Sequence, residues 1–382
     1  MPDRPRELRI GTRGSQLALW QANTVAARIA GAAGPPCRII TIKTTGDRLQ
    51  DAPLSEVGGK RLFVKEIEDA LLRHDIDLAV HSSKDMPAIL PDGLTIGAVL
   101  PREDPLDAIV LPSTVRLKAD TTYEADHTHE ADTTREVDTK PEVATKPEAD
   151  TTHDAGTTDD PTYVVSGFSR TVAPVSGVSR TFATIADIAT VLGRSPVIGT
   201  GSVRRIAQLT RLLPGARFEP IRGNLDTRLR KLDEGQYDAL VLAAAGLRRL
   251  GFASRISLPL PSAACVPAPG QGIVAIEIRE GDEYIREVVA RIDDSAAAAA
   301  LNAERALVVA LGGGCQTPIG ALASPVLDDG LELVAAVVSL DGGRVVRRQA
   351  RGRRADAAAL GASVAAGLLE DGAGQILAEA QR

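Results

Sequence analysis

A chain of 382 residues exceeds one typical domain of about 100–200 residues and implies two or three. Its 44% apolar and 25% charged residues exclude a wholly disordered or fibrous protein, and three cysteines exclude a disulfide framework. No apolar run approaches the ~20 residues of a membrane span, and the opening MPDRPRELRI passes from charge into a strand with no secretory apolar stretch, so a cytoplasmic location is expected.

The net charge of -6 is local. Of 44 basic and 50 acidic residues, 7 and 13 lie between Arg116 and Arg180, which leaves 37 of each sign elsewhere and a neutral body. Ten aromatics and no basic stripe argue against nucleic-acid binding.

In chain order, residues 8–13 read as a strand, and Ser15 caps a helix whose apolar positions Leu17, Leu19, Trp20 and Val25 lead to Ile29. A strand at 38–43 and an amphipathic helix at 63–73 follow, then a short strand at 77–80 that delivers HSSKD. Strands at 96–100 and 108–111 precede residues 116–183, an insertion that repeats ADTT at Ala119, Ala131 and Ala149 and VSGFSRT as VSGVSRT. Its Thr, Asp, Glu and Ala without apolar periodicity predict disorder. Three of five histidines fall there (His127, His129 and His153) without metal-ligand spacing.

The rhythm then resumes: strand 197–200, helix 203–213, strand 217–221, helix 225–235, strand 239–243, strand 273–279 and an Ala-rich helix at 295–311 that ends in three glycines. Strands near 331–340 and 345–351 and a helix at 356–369 close a small α+β unit. Alternating strands and helices predict α/β domains with largely parallel sheets.

Three places share one design, a strand end, a Gly, Ser or Asn turn, a helix start and arginines: 11–15 (GTRGS), 199–205 (GTGSVRR) and 221–228 (IRGNLDTR). Helix N-termini with adjacent guanidinium groups hold carboxylates or phosphates, so the repetition implies a polyanionic small ligand at the carboxyl ends of the strands. With 36 arginines against 8 lysines, some arginine at helix starts follows from composition alone. No Walker loop and no GxGxxG spacing is present, which disfavours nucleotides. Lys84 and Asp85 at a strand end make either a plain ion pair or a carboxylate that stabilises a cation and shuttles protons. Cys37 and Cys265 read as buried structural residues; Cys315, on the loop GGGC, is accessible either as a nucleophile or as a covalent tether.

Taken in order, IGTRGSQLALWQAN, TTGD, VGGKRLFVKEIEDALL, DLAVHSSKDMP, REDPLDA, IGTGSVRR, RGNLDTRL, LAAAGLRRLG, VPAPGQGIVAIE, AERAL and GGGCQTPIG resemble the porphobilinogen deaminase (hydroxymethylbilane synthase) family over nearly the whole chain. The insertion has no counterpart in the usual family pattern. The resemblance implies two periplasmic-binding-protein-like (type II) α/β domains plus a smaller C-terminal α+β domain: 1–104 with 267–292, then 105–266 interrupted by 116–183, then 293–382. It implies head-to-tail condensation of four porphobilinogens with release of ammonia, then hydrolysis to linear hydroxymethylbilane, in the biosynthesis of tetrapyrroles such as haem, sirohaem or cobalamin.

By the same resemblance Asp85 is the catalytic residue, and Cys315 carries a dipyrromethane cofactor by a thioether. Cofactor contacts fall on Ser82, Lys84, Asp85, Ser202, Arg204 and Arg205, and substrate carboxylates fall on Arg13, Gln21, Lys60, Arg222, Arg228 and Arg249. No metal is implied, and the partner is porphobilinogen, with neither nucleic acid nor membrane, in a monomer. The chain departs from the family at Gly201, Arg61 and Glu56, the last two in a stretch around 47–61 expected to form a mobile loop over the site. A solute-binding module, also two α/β lobes around an anion cleft, is the rival reading; the GGGC loop and the missing export signal argue against it.

Overall fold

The computed structural model describes residues 7–48, 64–113, 182–314 and 317–381, all within one compact unit formed by Met1–Leu117 and Gly177–Arg382. The disorder expected for the insertion lies outside the described residues. Phe182 already belongs to the body: its N–H donates to the Ser257 carbonyl at 2.8 Å and its ring packs on a buried cluster, so the insertion ends before residue 183.

The chain starts with β1 (Leu8–Thr12), α1 (Gln16–Gly31), β2 (Cys37–Thr41), the single turn α2 (Thr45–Arg48), α3 (Lys65–Leu72), β3 (Leu78–Ser82) and β4 (Leu94–Val99). Ser15 caps α1 as expected, its Oγ accepting from the Ala18 N–H. The buried stripe of α1 is Ala18, Gln21, Ala22, Val25 and Ile29, a 3.6-residue period that leaves Trp20 exposed. Of the expected stripe, Val25 and Ile29 are buried as expected, while Ala18, Gln21 and Ala22 take the inward positions in place of Leu17, Leu19 and Trp20.

At residues 100–106 the chain crosses to a second sheet with β5 (Asp107–Val110), α4 (Ile185–Leu192), β6 (Val197–Gly199), α5 (Val203–Leu209), β7 (Arg217–Glu219), α6 (Leu225–Asp233), β8 (Ala239–Ala243), α7 (Ala244–Arg249) and β9 (Leu258–Leu260). At 261–273 it returns to give β10 (Val274–Arg279) to the first sheet. The two sheets have the orders β2-β1-β3-β10-β4 and β7-β6-β8-β5-β9. Both follow one rule: three parallel strands, then an antiparallel strand reached by a crossing of the chain, then an edge strand. This is the type II α/β arrangement expected for the first two domains. Helix α5 stops at Leu209 rather than 213; the chain turns ahead of Pro214 and of Gly215, whose φ is 86°.

After α8 (Glu283–Ala290) and α9 (Ser295–Ala310), the antiparallel strands β11 (Ile319–Val326), β12 (Gly330–Val338) and β13 (Val345–Arg353) form a three-stranded sheet, closed by α10 (Ala357–Glu370) and α11 (Ala373–Ala380). From Leu333 to Val338 strand β12 is apolar because both of its faces are covered. Leu331, Leu333, Ala335 and Val337 meet α9, α10 and α11, while Val334, Ala336 and Val338 meet Ala207 of α5 and Val266. Helix α9 serves two cores, with Ala297 and Leu301 against Val99 and Ala275 of the first sheet and Leu307 and Val308 in the small domain. No helix among the described residues is long and apolar enough to cross a membrane.

Candidate active site: a cationic cleft with one carboxylate

Strands β1, β3, β6 and β8 deliver their carboxyl ends to one cleft, where open α/β sheets bind ligands. At the end of β3 the chain makes a short 3-10 turn, Ser83–Asp85, which presents Lys84 and Asp85. Arg13 follows β1; Arg222 precedes Gly223, whose φ of 108° turns the chain into the Asn224 cap of α6. Arg228 is oriented by its own backbone, Nε donating to the Gly223 carbonyl at 2.9 Å. Arg249 on α7 donates to the Gly272 carbonyl at 2.7 Å and stacks over Trp20 with its guanidinium carbon 5.5 Å from the ring centroid. Trp20, off the buried stripe of α1, offers its ring face to this arginine.

These side chains line a cavity of about 570 Å³. A second cavity, about 80 Å³, adjoins it through Lys84 and is walled by Ser83, Ser202, Arg204, Arg305 and the backbone around Gly314 and Thr317. Among the described residues lining the two cavities there are seven cations, Arg13, Lys84, Arg204, Arg222, Arg228, Arg249 and Arg305, and one carboxylate, Asp85.

Burial of the ammonium pushes Lys84 down to about 8; Asp85 pulls it back and Arg205 pushes it further down. Arg228 is brought to about 10 by burial and by the neighbouring Arg205 and Arg222. Burial also lowers Arg249. A site that depresses several of its own cations is short of anions, and a polycarboxylate ligand would restore the balance.

Two of the expected carboxylate binders sit differently from the rest. Arg204 and Arg205 are 4% and 7% exposed and converge on Asp107, itself fully buried. Arg204 Nη1 donates to Asp107 Oδ2 at 2.6 Å and Arg205 Nε to Oδ1 at 2.9 Å. Arg204 still reaches the wall of the smaller cavity, whereas Arg205 lies behind it, with Nη1 on the Val241 carbonyl at 2.9 Å. Burial alone would raise the Asp107 carboxyl, but the two guanidinium groups hold it well below the usual carboxylate range. Ser202 caps α5, accepting from the Arg205 N–H, and faces the smaller cavity. Gln21, buried on α1, donates to Ser82 Oγ at 3.0 Å and so supports the rim from behind. Cys315, Lys60, Arg61 and Glu56 lie outside the described residues.

The sequence reading missed Asp107, Gln271 and Glu304. Gln271 spans the two lobes: Lys84 Nζ donates to its Oε1 at 3.3 Å, and its Nε2 donates to Asp107 Oδ1 at 3.0 Å and to the Pro105 carbonyl at 2.7 Å. The flanking glycines make that position accessible. Gly270, at φ 72°, could not carry a Cβ without meeting Ser83 Oγ at 2.6 Å, and Gly272, at φ 88°, would meet the Glu103 carbonyl at 2.2 Å. Glu304 on α9 takes Arg102 Nη1 at 2.6 Å and the Ala323 N–H at 2.7 Å, which ties the small domain to the crossing segments. A signal was present for Gln271 in PGQG, an amide between two glycines, and for Glu304 in the Ala-rich helix text; Asp107, one of several charges in REDPLDA, carried none.

Comparison with known proteins places the chain in a family. A model of the porphobilinogen deaminase dipyromethane cofactor binding domain matches residues 8–139 and 173–287, and a model of the porphobilinogen deaminase C-terminal domain matches 298–370. The porphobilinogen deaminase of Syntrophobacter fumaroxidans is 40% identical over 379 residues, 99% of this chain and 99% of its own. That of Moorella thermoacetica is 38% identical over 374 residues, 98% of this chain and 96% of its own. Among solved structures, an amino acid ABC transporter substrate-binding protein from Streptococcus pneumoniae bound to L-arginine superposes loosely, with a TM-score of 0.33 and 13% identity over 75% of this chain and 86% of that one.

Proposed function

The chain belongs to the porphobilinogen deaminase family, and from that premise we propose how the residues of its cleft divide the work. The enzyme is a transferase, a hydroxymethylbilane synthase of tetrapyrrole biosynthesis. It condenses four porphobilinogens head to tail with release of ammonia and then hydrolyses the chain to hydroxymethylbilane. Its cofactor is dipyrromethane.

The cleft suits that group. Arg204 Nε and Ser83 Oγ are buried on the wall of the smaller cavity without a hydrogen-bond partner among the described residues, and both can donate to a carboxylate. Ser82, Lys84, Ser202 and Arg204 would hold the cofactor, with Arg205 supporting Arg204 from behind through Asp107 and Cys315 as its thioether anchor. When bound, dipyrromethane supplies the primer whose free pyrrole position receives the first substrate.

The observation that carries the reading is one carboxylate among seven cations in the described lining of the two cavities. Each porphobilinogen brings an acetate and a propionate, and Arg13, Lys60, Arg222, Arg228 and Arg249 would fix them, Arg as a planar fork and Lys60 as a point charge, with Gln21 steadying Ser82 behind the rim. Loss of the aminomethyl nitrogen leaves positive charge on the pyrrole methylene. Asp85, the one carboxylate among the described residues lining the cavities, is the group that attracts that charge, gives a proton to the departing amine and takes one back after coupling. The same reading gives a cytoplasmic monomer whose partner is porphobilinogen, with neither nucleic acid nor membrane.

Incubation with porphobilinogen should consume it with release of ammonia and yield an oxidisable linear tetrapyrrole. Asp85→Asn should keep the mass of a chain plus one dipyrromethane while losing about a hundredfold or more in turnover. Near-normal turnover would remove Asp85 from the chemistry, and a Cys315→Ala chain that still carries the added mass would move the anchor elsewhere.

A further inference from the structure

Asp107 is a fully buried carboxylate at the first position of β5, the strand that the first crossing contributes to the second sheet. It accepts from Arg204 Nη1 at 2.6 Å, Arg205 Nε at 2.9 Å and Gln271 Nε2 at 3.0 Å. Through Gln271 the same network reaches Lys84 Nζ on the other lobe at 3.3 Å. Three cations from two lobes are thus referred to one carboxylate, and one negative charge does not neutralise them.

The orientation of Arg204 is informative. Its Nη1 is fixed by Asp107 and by the Val266 carbonyl at 2.8 Å, its Nε is buried without a partner among the described residues, and the residue lines the smaller cavity. A buried donor left unsatisfied is costly, and a guanidinium held by one end presents its other nitrogens in a set direction.

We propose that Asp107 is a positioning residue: held from behind by Arg205, it clamps Arg204 and, through Gln271, Lys84, and aims these two cations at the carboxylates of the bound pyrrole chain. It touches neither substrate nor cofactor. It acts by removing the rotamer freedom that long cationic side chains would otherwise lose on binding, and by holding like charges close enough to grip one polyanion. The proposal rests on Arg204 being a carboxylate binder, and the test separates the two.

The experiment compares Asp107→Asn, Arg204→Gln and Gln271→Leu with the wild-type chain, at a temperature where circular dichroism shows each one folded. Two readouts are taken: the fraction of chains carrying the dipyrromethane mass by intact mass spectrometry, and the KM for porphobilinogen separately from kcat. Asp107→Asn keeps the shape and removes the charge, and should cut cofactor loading or raise KM by about ten- to a hundredfold, as misplacing a binding group does. Combining Asp107→Asn with Arg204→Gln should add little to either single change, since both act on the same contact.

A folded Asp107→Asn chain that loads and binds as the wild type does, beside a defective Arg204→Gln, overturns the positioning role and leaves the arginine's role intact. If Arg204→Gln itself loads normally, the assignment of Arg204 fails first. If Asp107→Asn does not fold, Gln271→Leu decides: it leaves both arginine contacts to Asp107 in place and should still raise KM, whereas a wild-type KM overturns the link to Lys84.

Discussion

Lys84 stands where three electrical demands meet: burial, an adjacent Asp85 and two arginines nearby. In the folded, ligand-free chain it titrates near 8 rather than its ordinary 10.5. The sign for stability follows. Below about 8 both folded and unfolded chains carry the proton and the folded one bears the full penalty; between about 8 and 10.5 only the unfolded chain keeps it, so this group's contribution to stability improves as pH rises through that window. For binding the direction reverses, because a carboxylate partner favours the charged amine. In a Cys315→Ala background, porphobilinogen should bind with uptake of close to one proton above about pH 8, with affinity falling up to about tenfold per pH unit. Calorimetry in buffers of different ionisation heat counts the proton. Lys84→Arg, permanently charged, should abolish the uptake, and undiminished uptake would assign the proton to another group.

At this scale the sequence was most legible where a side chain works at a strand end. Lys84 and Asp85, Arg13, Arg222 and Arg228 were all readable from turn chemistry, and the structure brings all five to one cavity. Asp107 was not readable, because an acidic residue opening a strand looks like an ordinary exposed edge until the fold buries it against two arginines on a helix 97 and 98 residues away.

Among the elements, long periodic helices and apolar strands were legible, while those defined by a neighbour were not. Strand β11 has a Gly and Ala text with weak strand preference; it forms because β12 pairs along its whole length and because the Ala321 N–H donates to the Pro267 carbonyl at 2.9 Å. Helix α4 carried a readable signal, Thr184 and Asp187 in a capping box, hidden by its closeness to the insertion. Helix α10 packs on α9 so closely that a Cβ at Gly361 would stand 2.2 Å from the Ala303 carbonyl oxygen. Gly361→Ala should therefore destabilise the chain by about 1–3 kcal/mol through overpacking, even though alanine favours an isolated helix by about 1 kcal/mol. Urea unfolding measures the balance, and a stabilised variant would show that α9 and α10 can separate freely.

For the whole molecule, the class of fold was readable from alternation, but the strand orders were not, since which strand lies beside which depends on contacts between residues far apart in sequence. The described residues that line the two cavities all lie outside 118–176. Deleting 118–176 should leave kcat and KM within about twofold at moderate salt, in line with the small effects of surface changes away from a site. A tenfold loss in a folded deletion variant would make that segment part of the catalytic machinery.

The order β2-β1-β3-β10-β4 has a consequence for the birth of the chain. As the ribosome releases the protein from its N-terminus, β3 and β4 emerge early but cannot become neighbours, for the strand that belongs between them begins at Val274. At about 5–20 residues per second the gap of 175 residues after Val99 means roughly 10–35 s in which the first sheet is open along an unpaired edge. The second lobe, complete by Leu260, closes sooner. Nascent chains stalled after β4 should be cut readily by protease within residues 7–99, and chains stalled well beyond Arg279 should resist, so that the lobe made first is the one finished last.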